Sequence, residues 1–133
     1  MIIKVYGEMH FFIEEVDEIR GKIIDDKPTI ILLENMEDKE YYNKNTKAKV
    51  YRLEPEYKAK GETLLKQFLT RERAMIASIK AVIKESDDND IICIQVGDTH
   101  LRTIYTKELG LATLNQYLVT INDIEIIRSK HRE

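Results

Sequence analysis

The chain has 133 residues and a mass of 15.6 kDa, with 43% hydrophobic and 34% charged residues and a formal net charge of −3 at pH 7. That length suits one domain spanning 1–133, with enough chain to bury a core without disulfide or metal staples. The lone cysteine excludes an internal disulfide and a cysteine metal cage, no apolar stretch is long enough to cross a bilayer, and Gly and Pro are too scarce for long disordered segments.

Met1 leads straight into Ile2-Ile3-Lys4-Val5-Tyr6, a short apolar run that reads as a buried strand. With no basic region or cleavage site of a signal peptide ahead of it, a cytoplasmic protein with no membrane partner is expected. The run ends in Gly7-Glu8-Met9-His10, with the glycine read as a sharp turn. Phe12, Val16, Ile19 and Ile23 then step by four, three and four, which is one face of a helix. Asp25-Asp26-Lys27-Pro28 breaks that pattern. Thr29–Leu33 is a second apolar run, ending in Glu34.

Residues 35–60 are polar, aromatic and poorly periodic, compatible with a short helix or a strand. From Lys39 to Lys60 seven basic and three acidic residues give +4, so the remainder carries −7. Tyr41, Tyr42, Tyr51 and Tyr57 are interleaved with those lysines. Such a segment can grip single-stranded nucleic acid or an acidic partner, or can simply be a solvated connection.

A long helix is predicted from about Glu62 to Glu85. Leu65, Phe68, Leu69, Met75, Ile76, Ile79, Val82 and Ile83 form its apolar stripe. Arg71 and Glu72 both fall inside that stripe. A buried charge needs a partner, so each should find one at the strand ends, with Glu8, Glu34 or an anionic substrate as partners for Arg71. The alternative is that both sit at the edge of the stripe with their heads in water.

Ile91–Val96 is a third apolar run, and it holds Cys93 as a small buried core residue. It ends in Gly97-Asp98-Thr99-His100, echoing Gly7-Glu8-Met9-His10. A short helix is expected from His100 to Leu109, stopped by Gly110. Tyr117–Ile121 and Ile124–Arg128 follow, separated by Asn122-Asp123. They suit either a two-residue hairpin or one more sheet strand and a frayed end. His131, in a basic tail, reads as a solvated end. Near-unbroken apolar strands separated by helices predict an α/β fold with a mostly parallel sheet of about four to five strands and helices on both faces.

If the first and third strands are parallel neighbours, Glu8, His10, Asp98 and His100 meet at one sheet edge, joined by Glu34. Open α/β sheets bind ligands there. Mixed imidazole and carboxylate donors suit a divalent ion such as zinc, manganese, iron or cobalt, with Glu8, His10, Glu34 and His100 as ligands. Without metal, a histidine oriented by a carboxylate can act on water, and Arg71 can hold or polarise an anionic group. No phosphate-cradling Gly-x-x-x-x-Gly-Lys, dinucleotide fingerprint or Gly-x-Ser-x-Gly turn is present, and Ser78, Ser86 and Ser129 lack motif context.

Gly7 and His10 after the first strand, Glu34 after the second, Arg71 in Arg71-Glu72-Arg73-Ala74-Met75 and Gly97 and His100 after a later strand resemble the TraB/PrgY and Tiki families. These belong to a broader superfamily with erythromycin esterase and ChaN-like haem-uptake proteins. The order and strand context match from about residue 2 to 110. The resemblance implies an α/β fold with its site at the carboxyl edge of the sheet. It also implies hydrolase-like chemistry on a small-molecule or peptide substrate, because Tiki proteins are metal-dependent proteases and erythromycin esterase uses histidine and glutamate. Carried over by position, His10, Glu34 and His100 would be catalytic or metal-binding, with Glu8 and Arg71 supporting. The chain departs from the family in length: only residues 35–61 separate Glu34 from the long helix, where members carry large helical insertions. A homodimer is compatible with the sequence.

Overall fold

The computed structural model describes residues 1–58, 60–102 and 113–131. Five strands, β1 (Ile2–Glu8), β2 (Ile30–Leu33), β3 (Lys49–Arg52), β4 (Ile91–Gly97) and β5 (Ile124–Ile127), form one sheet in the order β3-β2-β4-β1-β5. Every pairing is parallel. The helices are α1 (Ile13–Asp25), α2 (Lys39–Asn45), α3 (Leu64–Glu85) and α4 (Leu114–Leu118), with 3₁₀ turns at Met36–Asp38 and Asp98–Leu101.

Strand alternation sorts the core into two layers. Ile3, Val5, Leu32, Ile92, Ile94 and Val96 face α3 and α4, where they meet Met75, Ile76, Ile79, Leu114 and Leu118. Tyr6, Ile31, Leu33 and Cys93 face α1 and α2, against Ile19, Ile23 and Tyr42. The chain leaves β1 and β2 for one face but leaves β4 for the other. Since β4 lies between β1 and β2, the carboxyl end of β4 is a topological switch point, where ligand crevices form in open α/β sheets.

Several local expectations need correcting. Segment 39–60 holds both a helix, α2, and an edge strand, β3. Tyr117 belongs to α4, and β5 adds to the sheet in parallel beside β1, so there is no hairpin at Asn122-Asp123. Thr113 and Gln116 build a capping box that starts α4. The end of the helix expected over 100–109 lies outside the described residues. His100 itself is in a 3₁₀ turn. Phe12 caps α1 instead of joining its buried face and stacks on His131 with ring centroids 3.8 Å apart.

The two strand-end glycines do not make turns. Gly7 lies within β1 and Gly97 is the last residue of β4; among the described residues only Gly61 is a glycine with positive φ. Their need is for space. A Cβ on Gly7 would stand 2.5 Å from Asp98 Oδ1 and 2.7 Å from Leu101 Cδ1. Gly7→Ala is therefore expected to lower stability in urea unfolding by ~1–3 kcal/mol, from overpacking. Gly21→Ala in α1, with nothing within 4 Å, is expected to gain ~0.5–1 kcal/mol. Equal effects of the two substitutions would contradict this account of Gly7.

Candidate active site

In the parallel register of β1 and β4, Gly7 pairs with Val96 and Glu8 with Gly97, so both Gly-acid-x-His phrases end at the same sheet edge. An open cleft of about 490 Å³ lies there, lined by Glu8, His10, Glu34, Asn35, Phe68, Arg71, Gly97, Thr99 and His100. Of the six residues expected at this edge, five, Glu8, His10, Glu34, Arg71 and His100, border this one cleft.

His100 is at its centre. The 3₁₀ turn after β4 lowers the ring onto Phe68 of α3, with centroids 4.6 Å apart and planes 2° from parallel. Its Nδ1 donates to Glu72 Oε2 at 2.8 Å, and Nε2 faces Glu34 Oε2 at 3.2 Å. Glu72 is wholly buried, and its other oxygen accepts the Leu114 amide at 2.7 Å. Burial alone would lower the His100 pKa, but the bonds to Glu34 and Glu72 outweigh it and push the imidazole up to about 9. Both nitrogens then carry protons at neutral pH.

Glu34 is the hub of the network. Its Oε1 accepts the Gly97 amide at 2.6 Å, and its Oε2 takes Arg71 Nη2 at 3.0 Å beside His100. Burial would raise its pKa, but His100, the Gly97 amide and Arg71 hold it down at about 2. Arg71 also binds the carboxylate that follows β3, with Nε donating to Glu54 Oε1 at 3.0 Å and Nη2 to the same oxygen at 2.5 Å. So both charges in the α3 stripe have strand-end partners. The pairing of Arg71 with Glu34 was among those expected; Glu8 is not its partner.

Glu8 belongs to a second network, on the α1 and α2 side. Gln95, buried in the middle of β4, donates from Nε2 to Glu8 Oε2 at 2.7 Å and to Asp38 Oδ2 at 3.1 Å. Its Oε1 accepts from Tyr42 OH at 2.5 Å, and Arg20 closes on Asp38. Desolvation raises the Glu8 pKa, with Asp38 adding to the effect and the Gln95 bond opposing it. Gln95 is not among the residues expected at the site. Its signal was a lone amide at an inward position of an otherwise apolar strand, a group that burial tolerates only when it is bonded.

The remaining expected residues divide. His10 is exposed at the rim, beside Phe11 with ring centroids 4.8 Å apart. Asp98 does not reach the cleft: it is fully buried and held by Arg128, by Nε at 2.9 Å and Nη2 at 2.8 Å, and by the Ser129 amide at 2.8 Å. It fastens the C-terminal segment to the end of β4. His131 is not a loose end either, since it stacks on Phe12 and its Nε2 lies 3.4 Å from Glu15 Oε2. Cys93 is fully buried, and its thiol is pushed up to about 12 by desolvation and by Asp26.

Among the described residues, no group of three or more His, Cys, Asp or Glu side chains is arranged to hold a metal ion. The donor chemistry gives the reason. The Glu34 oxygens are taken by the Gly97 amide, Arg71 and His100, so its carboxylate is already bonded to cationic and N–H donors. The basic segment is also altered as a nucleic-acid surface: Tyr42 is fully buried and Tyr41 lies under Arg20, whose Cζ is 5.2 Å from the ring centroid. No family model, curated protein or solved structure matches the chain.

The shifts fix how the clamp depends on pH. A histidine whose pKa rises from 6.5 to about 9 stabilises fully below pH 6.5, and its contribution fades as pH climbs toward 9. Glu34, lowered from 4.5 to about 2, contributes fully above pH 4.5 and fades as pH falls toward 2. The stability difference between wild type and His100→Gln, from denaturant unfolding at each pH, is expected to shrink between pH 6.5 and 9. A difference that stays constant over that range would contradict the clamp.

Proposed function

We propose that the cleft is the active site of a hydrolase that works by acid–base chemistry, with His100 as proton donor and Glu8 as the base for water. The observation that carries this reading is the buried carboxylate of Glu72, set within the apolar stripe of α3 and bonded to His100 Nδ1, while the His100 residue itself lines the cleft. A buried ion pair is seldom the most stabilising choice, because apolar residues of similar volume often do as well or better. A pair with one end in a cleft, facing a second carboxylate, is better explained by chemistry.

In this reading the two networks set their groups apart. His100 is kept protonated, and its Nε2 proton passes to a carbonyl oxygen or a leaving group that takes the place of Glu34 Oε2 as its acceptor. Glu8, desolvated and bonded on one oxygen by Gln95, takes a proton from water. Both environments raise the pKa of their group, which keeps the proton on His100 at neutral pH and makes Glu8 a stronger base than a free carboxylate. Arg71 and the Gly97 amide hold Glu34 in place, and Arg71 adds positive charge where an oxyanion would develop. His10 at the rim contacts the substrate. The resemblance to the TraB/PrgY and Tiki families and to erythromycin esterase points to the same reaction class, on a peptide, amide or ester.

The test is turnover on a panel of esters, amides and peptides by wild type, Glu8→Gln and His100→Gln, with Lys58→Gln as an exposed control. Wild-type turnover is expected, with kcat/KM falling by roughly 10²-fold or more in the two site variants and unchanged in the control. Turnover equal in His100→Gln and wild type, or none by wild type across the panel, would contradict the proposal. Chelation is expected to leave the rate unchanged; loss restored by zinc, manganese or cobalt would replace this mechanism with a metal-dependent one at the same cleft.

A further inference from the structure

A second cavity lies at the opposite, amino-terminal edge of the sheet, about 550 Å³ in volume. The last turn of α1 supplies Ile24, the α1–β2 connection supplies Lys27, Pro28 and Thr29, and the end of α2 with the turn into β3 supplies Lys44 to Lys47. Three lysines, Lys27, Lys44 and Lys47, therefore converge on one hollow in a chain whose net charge is −3. We propose that this pocket is a binding site for a small molecule carrying a phosphate or similar dianionic group on an apolar body.

What sets these lysines apart is their grouping around one hollow, where no ion pair among the described residues involves Lys27, Lys44 or Lys47. Three like charges brought together repel one another unless an anion answers them. Helix dipoles explain only part of the cluster, since they favour cations within the last turn. Lys44 is in the last turn of α2, but Lys47 lies beyond its cap at Thr46, and α1 already has Lys22 in its last turn, with Lys27 beyond Asp26.

Lys27 also holds a left-handed backbone, with φ of 52°, at the tight turn before Pro28. Glycine or asparagine fits that conformation at less cost. A lysine there is accounted for if its side chain is needed at the pocket.

The lining also selects among anions. Buried Pro28 and half-buried Ile24 supply apolar surface, while the Thr29 and Thr46 side chains add polar rim. Among the described residues no aromatic side chain lines the pocket, and Tyr42, which could have stacked a base, is in the core. Single-stranded nucleic acid relies on such stacking, so a compact ligand with one dianionic head fits better. The volume is in the range of small-molecule sites. The site stands apart from the carboxyl-edge cleft and is independent of the hydrolytic reading.

The test uses amide NMR shifts of the full chain, titrated with inorganic phosphate, phenyl phosphate and a short oligothymidylate. Saturable phenyl phosphate binding is expected, with shifts centred on Ile24, Thr29 and Thr46, and weaker binding of inorganic phosphate. Affinity is expected to fall by roughly tenfold or more when Lys27, Lys44 and Lys47 are all changed to Gln, and to hold in Lys58→Gln/Lys60→Gln. Binding should also weaken as salt rises. No saturable binding up to about 10 mM, or equal binding by the folded triple variant, would overturn the site. A triple variant that only melts earlier, binding unchanged, would show helix counter-charges instead. Tighter binding of oligothymidylate, with shifts spread beyond the pocket, would replace the small ligand with nucleic acid.

Discussion

A carboxylate with no contact with water must be answered by donors, and Glu72 in α3 has two: His100 Nδ1 and the Leu114 amide. From that one requirement the geometry of the carboxyl edge follows. His100 is fixed with its ring against Phe68, its second nitrogen meets Glu34, and Glu34 draws in Arg71 and the Gly97 amide. Arg71 then captures Glu54 after β3. The ends of β2, β3 and β4 and one face of α3 are joined through a single chain of charges. Leaving one buried member without its partner would cost about 3–5 kcal/mol, so the clamp holds together as a unit.

The same edge carries two networks of different character. The α3 side alternates cations and carboxylates and keeps a proton on His100. The α1 side runs from Arg20 through Asp38 and Gln95 to Glu8, with Tyr42 holding the amide. Strand alternation divides them: Gln95 points to one face of β4, while Ile94 and Val96 point to the other. They meet only at the carboxyl edge, where Glu8 and His100 border one cleft. The topological switch at β4 therefore does more than open a crevice. It brings two separately tuned groups to the same space.

The fold was legible because β1, β2 and β4 are largely apolar runs and the long helix has a clear stripe. Those signals depend on residue type and spacing alone. Glu34, His100 and Arg71 were legible for a related reason: each breaks a pattern or ends one. Glu54 and Gln95 were not. Glu54 lies in an aperiodic segment, and its role depends on β3 adding at the sheet edge, which no local pattern announces. Gln95 was hidden by its apolar neighbours. Asp98 shows the reverse error. It has the same place in its phrase as Glu8, but in the register of β1 and β4 Glu8 pairs with Gly97, and Asp98 lies beyond the pair, against Gly7 and Arg128. Sequence echo gave the right edge and the wrong face. The glycines were misread similarly, because a residue chosen for close approach looks like one chosen for a turn.

Two carboxylates, Glu72 and Glu34, hold His100 doubly protonated at the cleft. Long-range ¹H–¹⁵N correlation of the histidine rings across a pH series tests it most directly. His100 is expected to show two protonated nitrogens at neutral pH and to lose a proton only near pH 9, while Glu72→Gln brings the transition down. A His100 ring that is a neutral tautomer at neutral pH, titrating near its ordinary value of 6.5, would contradict the clamp and the acid–base assignment built on it.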